Sequence, residues 1–254
     1  MPHRIAARAA TIGAFMLSTV LTGLAGLTAP AALAAEAGEG HVDVGLTTDV
    51  PIMVGLGATY ESPWRVRAEV NLGVLPDPYL KLINSTMTGF DVYSDDIATL
   101  IETIMRGALV ARGELGIRPF AERSYVFSAG YLFAGLAGGT TDLSLYGDGL
   151  SSAATTDAEG FLTTLDATAK LHMLTVDAGH EWLLMEDRLV LRGSVGGAFT
   201  LSSSSAVSSD AAAGNPIQEA GRDKVIEEAA LYLDDVFQSY VHTPTVGFSA
   251  AWRL

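Results

Sequence analysis

The most constraining feature of the sequence is a strict apolar and polar alternation over residues 64–74. The even positions from Trp64 to Val74 are apolar, and the odd positions from Arg65 to Gly73 are polar or glycine. A period of two residues predicts a β-strand with one apolar face and one charged face. Strands of soluble proteins usually have about 5–6 residues, whereas a membrane-crossing strand needs about 9–11. The length of this segment therefore favours a strand that crosses a bilayer.

The same alternation recurs in seven further segments, so the sequence predicts eight strands. These segments are residues 42–47, 52–61, 109–118, 125–133, 174–182, 188–196 and 245–254. The first is the shortest, and it lies within a predicted strand 41–48. Tight turns are expected at Ser62-Pro63, at 121–123 and at 185–187, with a further corner at Thr48-Asp49. Strands joined by such short turns pair as antiparallel hairpins.

The lengths of the connections indicate how the strands are arranged. Three connections are long, at about 76–105, 138–166 and 202–239, and the others are short. With both termini at one end of a barrel, the tight turns share that end and the long loops share the other, as in outer-membrane barrels. We therefore predict an all-β fold over residues 41–254, an eight-stranded antiparallel up-and-down transmembrane β-barrel. The rival fold, a soluble lipocalin-like barrel, requires the apolar faces to point inward.

The aromatic residues give an independent indication of a membrane. Six of them fall near the predicted short-turn end: Tyr60, Trp64, Phe120, Tyr125, Trp182 and Trp252. Amphipathic rings collect at the boundary between hydrocarbon and water. We therefore predict that these six side chains form one membrane-interface belt.

The polar faces of the predicted strands are charged and nearly neutral in sum. They carry seven arginines and six acids: Arg65, Arg67, Arg112, Arg118, Arg188, Arg192 and Arg253, with Asp43, Glu61, Glu69, Glu114, Asp177 and Glu181. The interior of an eight-stranded barrel is just wide enough to be filled by side chains, so these groups are expected to form a buried charge network. The alternative is a narrow ion path or a ligand cleft.

The long loops contain three predicted helices. One spans 78–88, with Asp77 as its cap and Pro78 as its first residue; the second spans 95–105 after Ser94; the third spans 222–240. Residues 138–166 and 202–217 are rich in glycine, serine, alanine and threonine, and are expected to be flexible. The apolar helix faces either cap the barrel mouth or lie on the membrane surface.

The N-terminal residues 1–34 are predicted to be a secretory signal peptide. Arg4 and Arg8 precede an uncharged stretch from Thr11 to Leu27, and Ala32-Leu33-Ala34 provides a cleavage site. Cleavage would leave residues 35–40 as a short lead before the barrel. A single membrane anchor is the alternative. The chain has no cysteine, so disulfides cannot stabilise an exported form.

The charge of the exported form argues against nucleic acid as a partner. Without residues 1–34 the chain keeps 13 basic and 29 acidic residues, for a net charge of −16. Phosphate binding requires a basic patch, which this composition does not favour. Since the strands are nearly neutral, the surplus acid lies in the loops and predicts an acidic outer surface. Such a surface attracts divalent cations, but no metal-binding spacing occurs, and no metal or cofactor is predicted.

The last strand carries a resemblance to a known class of proteins. Val246, Phe248, Ala250, Trp252 and Leu254 occupy alternate positions up to the final residue. This resembles the C-terminal targeting signal of outer-membrane barrels, which usually ends in phenylalanine; here leucine stands in that place. The chain as a whole resembles small, uncharacterised outer-membrane β-barrel proteins of the OmpA-like and OmpW-like size class. The resemblance implies an outer-membrane location, surrounding lipid, recognition by the barrel-assembly machinery and a monomer.

Three classes of function remain open at this level. The first is a structural or surface-interaction barrel with a filled lumen and no chemistry of its own. The second is a channel or binding barrel for small or apolar molecules. The third is a rim-located hydrolase, for which the only candidates are His172 and His242, with Ser239, Thr243 and Asp235 nearby in sequence. The first class is favoured, and no catalytic residue is assigned.

Overall fold

The computed structural model describes residues 40–120, 124–152, 156, 161–212 and 214–254. The predicted signal peptide and the predicted turn residues 121–123 lie outside this part. The elements in chain order are β1 (His41–Val50), β2 (Met53–Glu61), β3 (Val66–Val74), α1 (Asp77–Gly89), α2 (Asp95–Met105), β4 (Leu109–Ile117), β5 (Tyr125–Gly135), β6 (Gly139–Asp142), a 3-10 helix (Leu143–Gly149), β7 (Thr164–Leu184), β8 (Leu189–Ser208), α3 (Pro216–Tyr240) and β9 (His242–Arg253).

Eight of these strands close into a barrel. The hydrogen-bonded order is β5-β4-β3-β2-β1-β9-β8-β7, and β5 also pairs with β7 to complete the circle. All of these pairings are antiparallel. β6 adds a short ninth strand, which pairs with the first residues of β7. The structure thus confirms the predicted eight-stranded up-and-down barrel, including its first strand.

The barrel is apolar outside and charged inside. Leu46, Leu72 and Leu115 face outward, with exposed fractions of 65%, 64% and 68%. Arg67 and Arg112, which alternate with such residues, are only 6% and 7% exposed. This arrangement is the reverse of a soluble barrel, so the lipocalin-like alternative is wrong. The fold is that of a small outer-membrane β-barrel.

The connections divide between the two ends as the sequence predicted. The turns after β2, β4 and β7 lie at the end that holds His41 and Arg253, and the helices lie at the opposite end. The first corner was placed wrongly at Thr48-Asp49. β1 pairs with β2 as far as Asp49 and with β9 as far as Val50, so the corner falls at Pro51-Ile52.

β7 and β8 are much longer than predicted, with 21 and 20 residues. They extend the barrel wall as a hairpin in which Asp166 still pairs with Ser208, after a register shift at His172/Met173. The prediction of flexible loops at 164–166 and 202–208 was therefore wrong. The serines of 202–205 give no apolar alternation, and their strand conformation depends on pairing with β7.

The helices begin near the predicted positions, with two differences. Asp77 is the first residue of α1 and does not cap it, since the cap position is Pro76 and makes no side-chain bond. The Ser94 hydroxyl accepts a bond from the backbone N–H of Ile97 and caps α2 as expected. α3 starts at Pro216, six residues before the predicted start, because the Asn215 carboxamide oxygen accepts bonds from the first-turn N–H groups. No helix in the described ranges is both long and apolar enough to span a membrane.

The helices form a cap over the long-loop end of the barrel. We use the name helical cap for α1, α2, the 3-10 helix and α3. Their apolar residues pack against one another and against the inner wall formed by β4, β5 and β7. The core of this region includes Leu80, Leu100, Ile104, Tyr146, Leu233 and Phe237 of the cap with Val110, Leu132, Leu165, Leu171 and Met173 of the wall. Of the two alternatives left by the sequence, the structure therefore places the apolar helix faces on the barrel mouth.

Candidate functional site: the charged barrel interior

The structure brings most of the predicted network residues into the barrel. The buried members are Asp43, Glu61, Arg67, Glu69, Arg112, Glu114, Asp177, Glu181 and Arg192, and the partly buried ones are Arg118 and Arg253. Arg65 is one of two exceptions. It lies exposed in the turn between β2 and β3 with a φ of 65°, because β3 begins only at Val66. Arg188, also predicted inside, is exposed in the turn before β8.

A first charged layer crosses the short-turn end of the interior. Arg118 forms two parallel hydrogen bonds to Glu61, each 2.9 Å long. Glu181 accepts bonds from Arg118 and from Arg67, so this one carboxylate from β7 joins the guanidinium group of the residue after β4 to one from β3. Bidentate arginine pairs of this kind fix both charge and orientation. The layer connects β2, β3 and β7 with the residue that follows β4, across the lumen.

Glu69 is the centre of the second layer. Its carboxylate accepts bonds from Arg192 at 2.7 Å, Arg67 at 3.1 Å and the amide of Asn71 at 2.9 Å. These donors come from β8 and from Glu69's own strand, β3. The charge of Glu69 is therefore fully matched by neighbouring cations.

The third layer contains one cation among several acids. Arg112 approaches Asp49 at 3.1 Å, Glu114 at 3.7 Å and Asp177 at 4.0 Å. Arg112 also lies 3.8 Å from Glu69, which already has its own partners. We name the group Asp49, Arg112, Glu114 and Asp177 the barrel waist. It lies between the first two charged layers and the helical cap.

A separate ion pair closes the seam between the first and last strands. Arg253 bonds to Asp43 through Nε at 2.9 Å and through Nη2 at 3.3 Å. His41 lies 3.7 Å from the same carboxylate. Because β1 and β9 are the two ends of the barrel chain, this pair joins the strands that close the cylinder.

Glycines on the inner faces make room for these charged groups. A Cβ atom on Gly130 would collide with Glu114, and one on Gly196 would collide with Asp177. The glycines at these inward positions therefore have a packing reason. One cavity of about 20 Å³ lies beside Glu69 and Asn71, and another of about 40 Å³ lies among Val110, Leu132 and Met173. Roughly one water molecule fits in the smaller of these spaces.

The charge balance of the interior differs from the prediction of seven arginines and six acids. The described residues place seven carboxylates inside, Asp43, Asp49, Glu61, Glu69, Glu114, Asp177 and Glu181, with five guanidinium groups, Arg67, Arg112, Arg118, Arg192 and Arg253. Two arginines fall in turns, and Asp49 is inside. Sequence reasoning assigned Asp49 to the corner, although it continues the inward register of Asp43, Gly45 and Thr47.

The six aromatics predicted to form a belt are all partly exposed near the short-turn end. Their exposed fractions run from 37% for Tyr60 to 50% for Phe120 and Trp182. Trp182 and Trp252 both pair with β8, at Leu191 and Leu189. The side chains thus occupy positions where an interface belt would lie.

A second set of rings, which the sequence analysis did not identify, lies toward the long-loop end. His172 contacts Phe133, with ring centroids 5.4 Å apart, and bonds to the Tyr131 hydroxyl. Phe199 and His242 form a similar pair. At about 3.3 Å per residue and a tilt of about 40°, the ten steps from Trp182 to His172 span roughly 25 Å along the barrel axis, which is the height of a typical apolar band.

The candidate hydrolase residues have different partners. His172 faces rings of β5, whereas Nδ1 of His242 accepts a bond from the backbone N–H of Thr200 at 3.1 Å. Ser239 and Asp235 lie exposed on α3. Among residues with described positions, no three histidine or acidic side chains are placed to hold a metal ion.

The helical cap contains its own polar contacts. Burial raises the pKa of Tyr93 to about 12, and its hydroxyl donates to Asn84 at 2.8 Å. Burial also raises the pKa of Tyr146 in the 3-10 helix. Glu228 of α3 accepts bonds from the backbone N–H and the hydroxyl of Ser151, at 2.7 and 2.9 Å, and these bonds lower the pKa of its carboxyl group. Glu228 therefore fastens α3 to the segment after the 3-10 helix.

Comparisons with known proteins found similarity in overall structure only. No protein-family profile matches the sequence, and no curated protein matches it. Similar solved structures include two outer-membrane proteins of Acinetobacter baumannii. One is CarO from Acinetobacter baumannii, with 9% identity, a TM-score of 0.33, and coverage of 83% of this chain and 96% of that chain. The other is Acinetobacter baumannii CarO2, with 10% identity, a TM-score of 0.36, and coverage of 84% and 99%. Similarity at this level transfers neither a site nor a function, and the barrel fold follows from this chain's own strand pairing.

Proposed function

We propose that this chain is an integral outer-membrane β-barrel with a closed interior, which serves as a structural or surface-interaction protein. The observation that carries the proposal is the double closure of the lumen. Charged layers fill the short-turn half, and the helical cap fills the long-loop half. Filling of both halves by described residues favours a closed interior over a path for a solute.

Insertion into a membrane is supported by the outer surface. Outward residues such as Leu56, Leu115 and Val195 are more than half exposed, at 64%, 68% and 61%. A surface of this kind is costly in water, at about 25 cal/mol for each Å² of apolar area. Surrounding lipid removes that cost. Strands that pair around a closed circle also leave no unpaired edge within the hydrocarbon.

The part of the molecule offered to partners is the outer face of the cap. The acids Asp91, Asp95, Asp96, Asp210 and Glu219 lie exposed there and in the adjoining loops. They give this end a negative surface that favours soluble, cationic partners over nucleic acid. We propose that this face lies on the outer side of the membrane.

Fractionation and gel mobility test the membrane location. The expressed protein should be found in the outer-membrane fraction and should resist extraction at high salt and alkaline pH. Unheated samples should migrate differently from boiled samples on gels, because a closed barrel stays folded in cold detergent. Recovery in the soluble periplasmic fraction would contradict the proposal.

Conductance in planar bilayers tests the closed interior. The refolded protein should give no single-channel steps. The matched control is a doubly substituted variant, Ser203→Cys and Asp234→Cys, placed where β8 contacts α3: the Ser203 hydroxyl donates to the backbone oxygen of Asp234 at 3.0 Å. Loss of free thiol verifies that oxidation has linked α3 to β8 before conductance is measured. If the natural chain conducts and the oxidised variant does not, the cap opens and the channel alternative replaces the closed barrel.

A further inference from the structure

The interior charges separate into a matched group and an unmatched group. Asp43, Glu61, Glu69 and Glu181 each accept a hydrogen bond from at least one arginine, and the donors are Arg253, Arg118, Arg67 and Arg192. Four carboxylates are thus neutralised by four arginines. Arg112 alone remains for the three acids of the barrel waist. The two excess negative charges of the interior are therefore located at the waist.

The environment of the waist makes unmatched charge unfavourable. Asp49, Glu114 and Asp177 are 2%, 4% and 5% exposed. Further toward the long-loop end, the inner wall carries the buried apolar side chains of Val110, Leu132 and Met173. Buried charges without a partner of opposite sign are strongly disfavoured and are neutralised by uptake of a positive charge.

The charged groups around each acid show the same deficit of cations. Asp49 on β1 faces Arg112 and Glu114 of β4, Glu69 of β3 and Arg192 of β8. Glu114 faces Arg112, Asp177 and Glu69, and it lies directly opposite Glu69 in the β3–β4 register. Arg192 is engaged with Glu69 at 2.7 Å. Like charges directly opposite each other on neighbouring strands are destabilising.

Unpartnered oxygen atoms lie within this group. Oδ2 of Asp49 and Oδ2 of Asp177 are buried and have no hydrogen-bond partner, although each lies within 4.0 Å of Arg112. The other oxygen of Asp177 accepts from Thr245, and Glu114 accepts from Thr175 and Ser128. A proton on a free oxygen would make it a hydrogen-bond donor to a neighbouring acid.

We propose that the barrel waist is a proton-binding site, in which Asp49, Glu114 and Asp177 hold up to two protons while the four matched carboxylates stay ionised. Protons are favoured over a metal ion because the described part of the chain has no suitable set of three metal ligands.

Infrared spectroscopy of the refolded full chain in D₂O tests the proposal directly. A protonated carboxyl group gives a carbonyl band that an ionised one lacks. The natural chain should show this band, and both Glu114→Gln and Asp177→Asn should weaken it. Glu181→Gln is the control, because Glu181 is matched by two arginines, and it should leave the band unchanged. Absence of the band from the natural chain would overturn the proposal.

The pH dependence of unfolding provides a second readout. For each proton that the folded state holds and the unfolded state releases, the unfolding equilibrium constant should rise tenfold per pH unit. Stability should therefore fall as the pH rises, and Asp177→Asn should reduce this slope. If an alkali cation neutralised the waist in place of protons, stability would change when choline replaces sodium at constant ionic strength. That result would refute proton binding.

Discussion

Replacement of Leu233 by alanine tests whether the helical cap is a separable unit of stability. Leu233 lies on α3 with no exposed surface, in the core between the cap helices and the barrel wall. Truncation of a fully buried leucine costs about 3–4 kcal/mol, through lost burial and the cavity that remains. We expect this cost to fall on docking of the cap, since the barrel strands are joined by their own closed hydrogen-bond ladder.

Hydrogen exchange measured by mass spectrometry separates local from global opening. A loss of about 3–4 kcal/mol corresponds to roughly 10²- to 10³-fold faster exchange. Peptides that cover α3 should show this acceleration in Leu233→Ala, whereas peptides of β3 and β4 should exchange at the rates of the natural chain. The expected outcome is a loosened cap on an intact barrel.

The matched control is Leu231→Ala on the same helix. Leu231 is 64% exposed, so its truncation should change stability by no more than about 0.5 kcal/mol. Equal acceleration of α3 and barrel peptides in Leu233→Ala would show that cap and barrel unfold as one unit. An equally large effect of Leu231→Ala would show that helix propensity, rather than burial, controls the cap. Either result would refute the reasoning.

Two further predictions concern packing and the cap. Gly196→Ala should sharply lower the refolding yield, because its Cβ would collide with the backbone oxygen of Val176 as well as with the Asp177 carboxylate. Gly113→Ala is the control and should refold normally in the same gel-mobility assay, because no atom lies within 4 Å of a Cβ at that position. Glu228→Gln should accelerate amide exchange at Ser151. In the natural chain the pKa of Glu228 is lowered, so its stabilisation of the contact with Ser151 is present above the unfolded-state pKa. This stabilisation is lost as the pH falls through the folded-state pKa. The exchange rate of the Ser151 amide, corrected for its intrinsic pH dependence, should therefore rise only in acid.

The interior layers explain how a chain without cysteines can hold a closed barrel. Arg67 on β3 bonds to Glu181 on β7, and Arg118, the residue after β4, bonds to the same carboxylate. These bonds join strands that are not neighbours in the barrel wall, so they act across the lumen. Arginine suits this role because its rigid fork can bind two acceptors at once.

The alternation in the sequence determined the fold class and the direction of most side chains. In β3 the period of two residues places Arg67 and Glu69 on one face and Val66 and Val70 on the other, regardless of the rest of the chain. The abundance of such segments and the sorting of short and long connections then favoured a barrel with a charged interior. Local geometry was sufficient for these conclusions because strand periodicity is a property of neighbouring residues.

Tertiary structure decided which charges lie inside and how the mouth is closed. Arg65 follows the alternation but falls in a turn, and Asp49 was assigned to a corner but lies in the waist, because strand ends are fixed by pairing with β2 and β9. The serines of β8 form a strand only through β7. Which acid meets which arginine, as in Arg67 with Glu181, depends on residues 114 positions apart. Such contacts arise only when the cylinder closes, since no local pattern encodes the distance between two strands across its lumen.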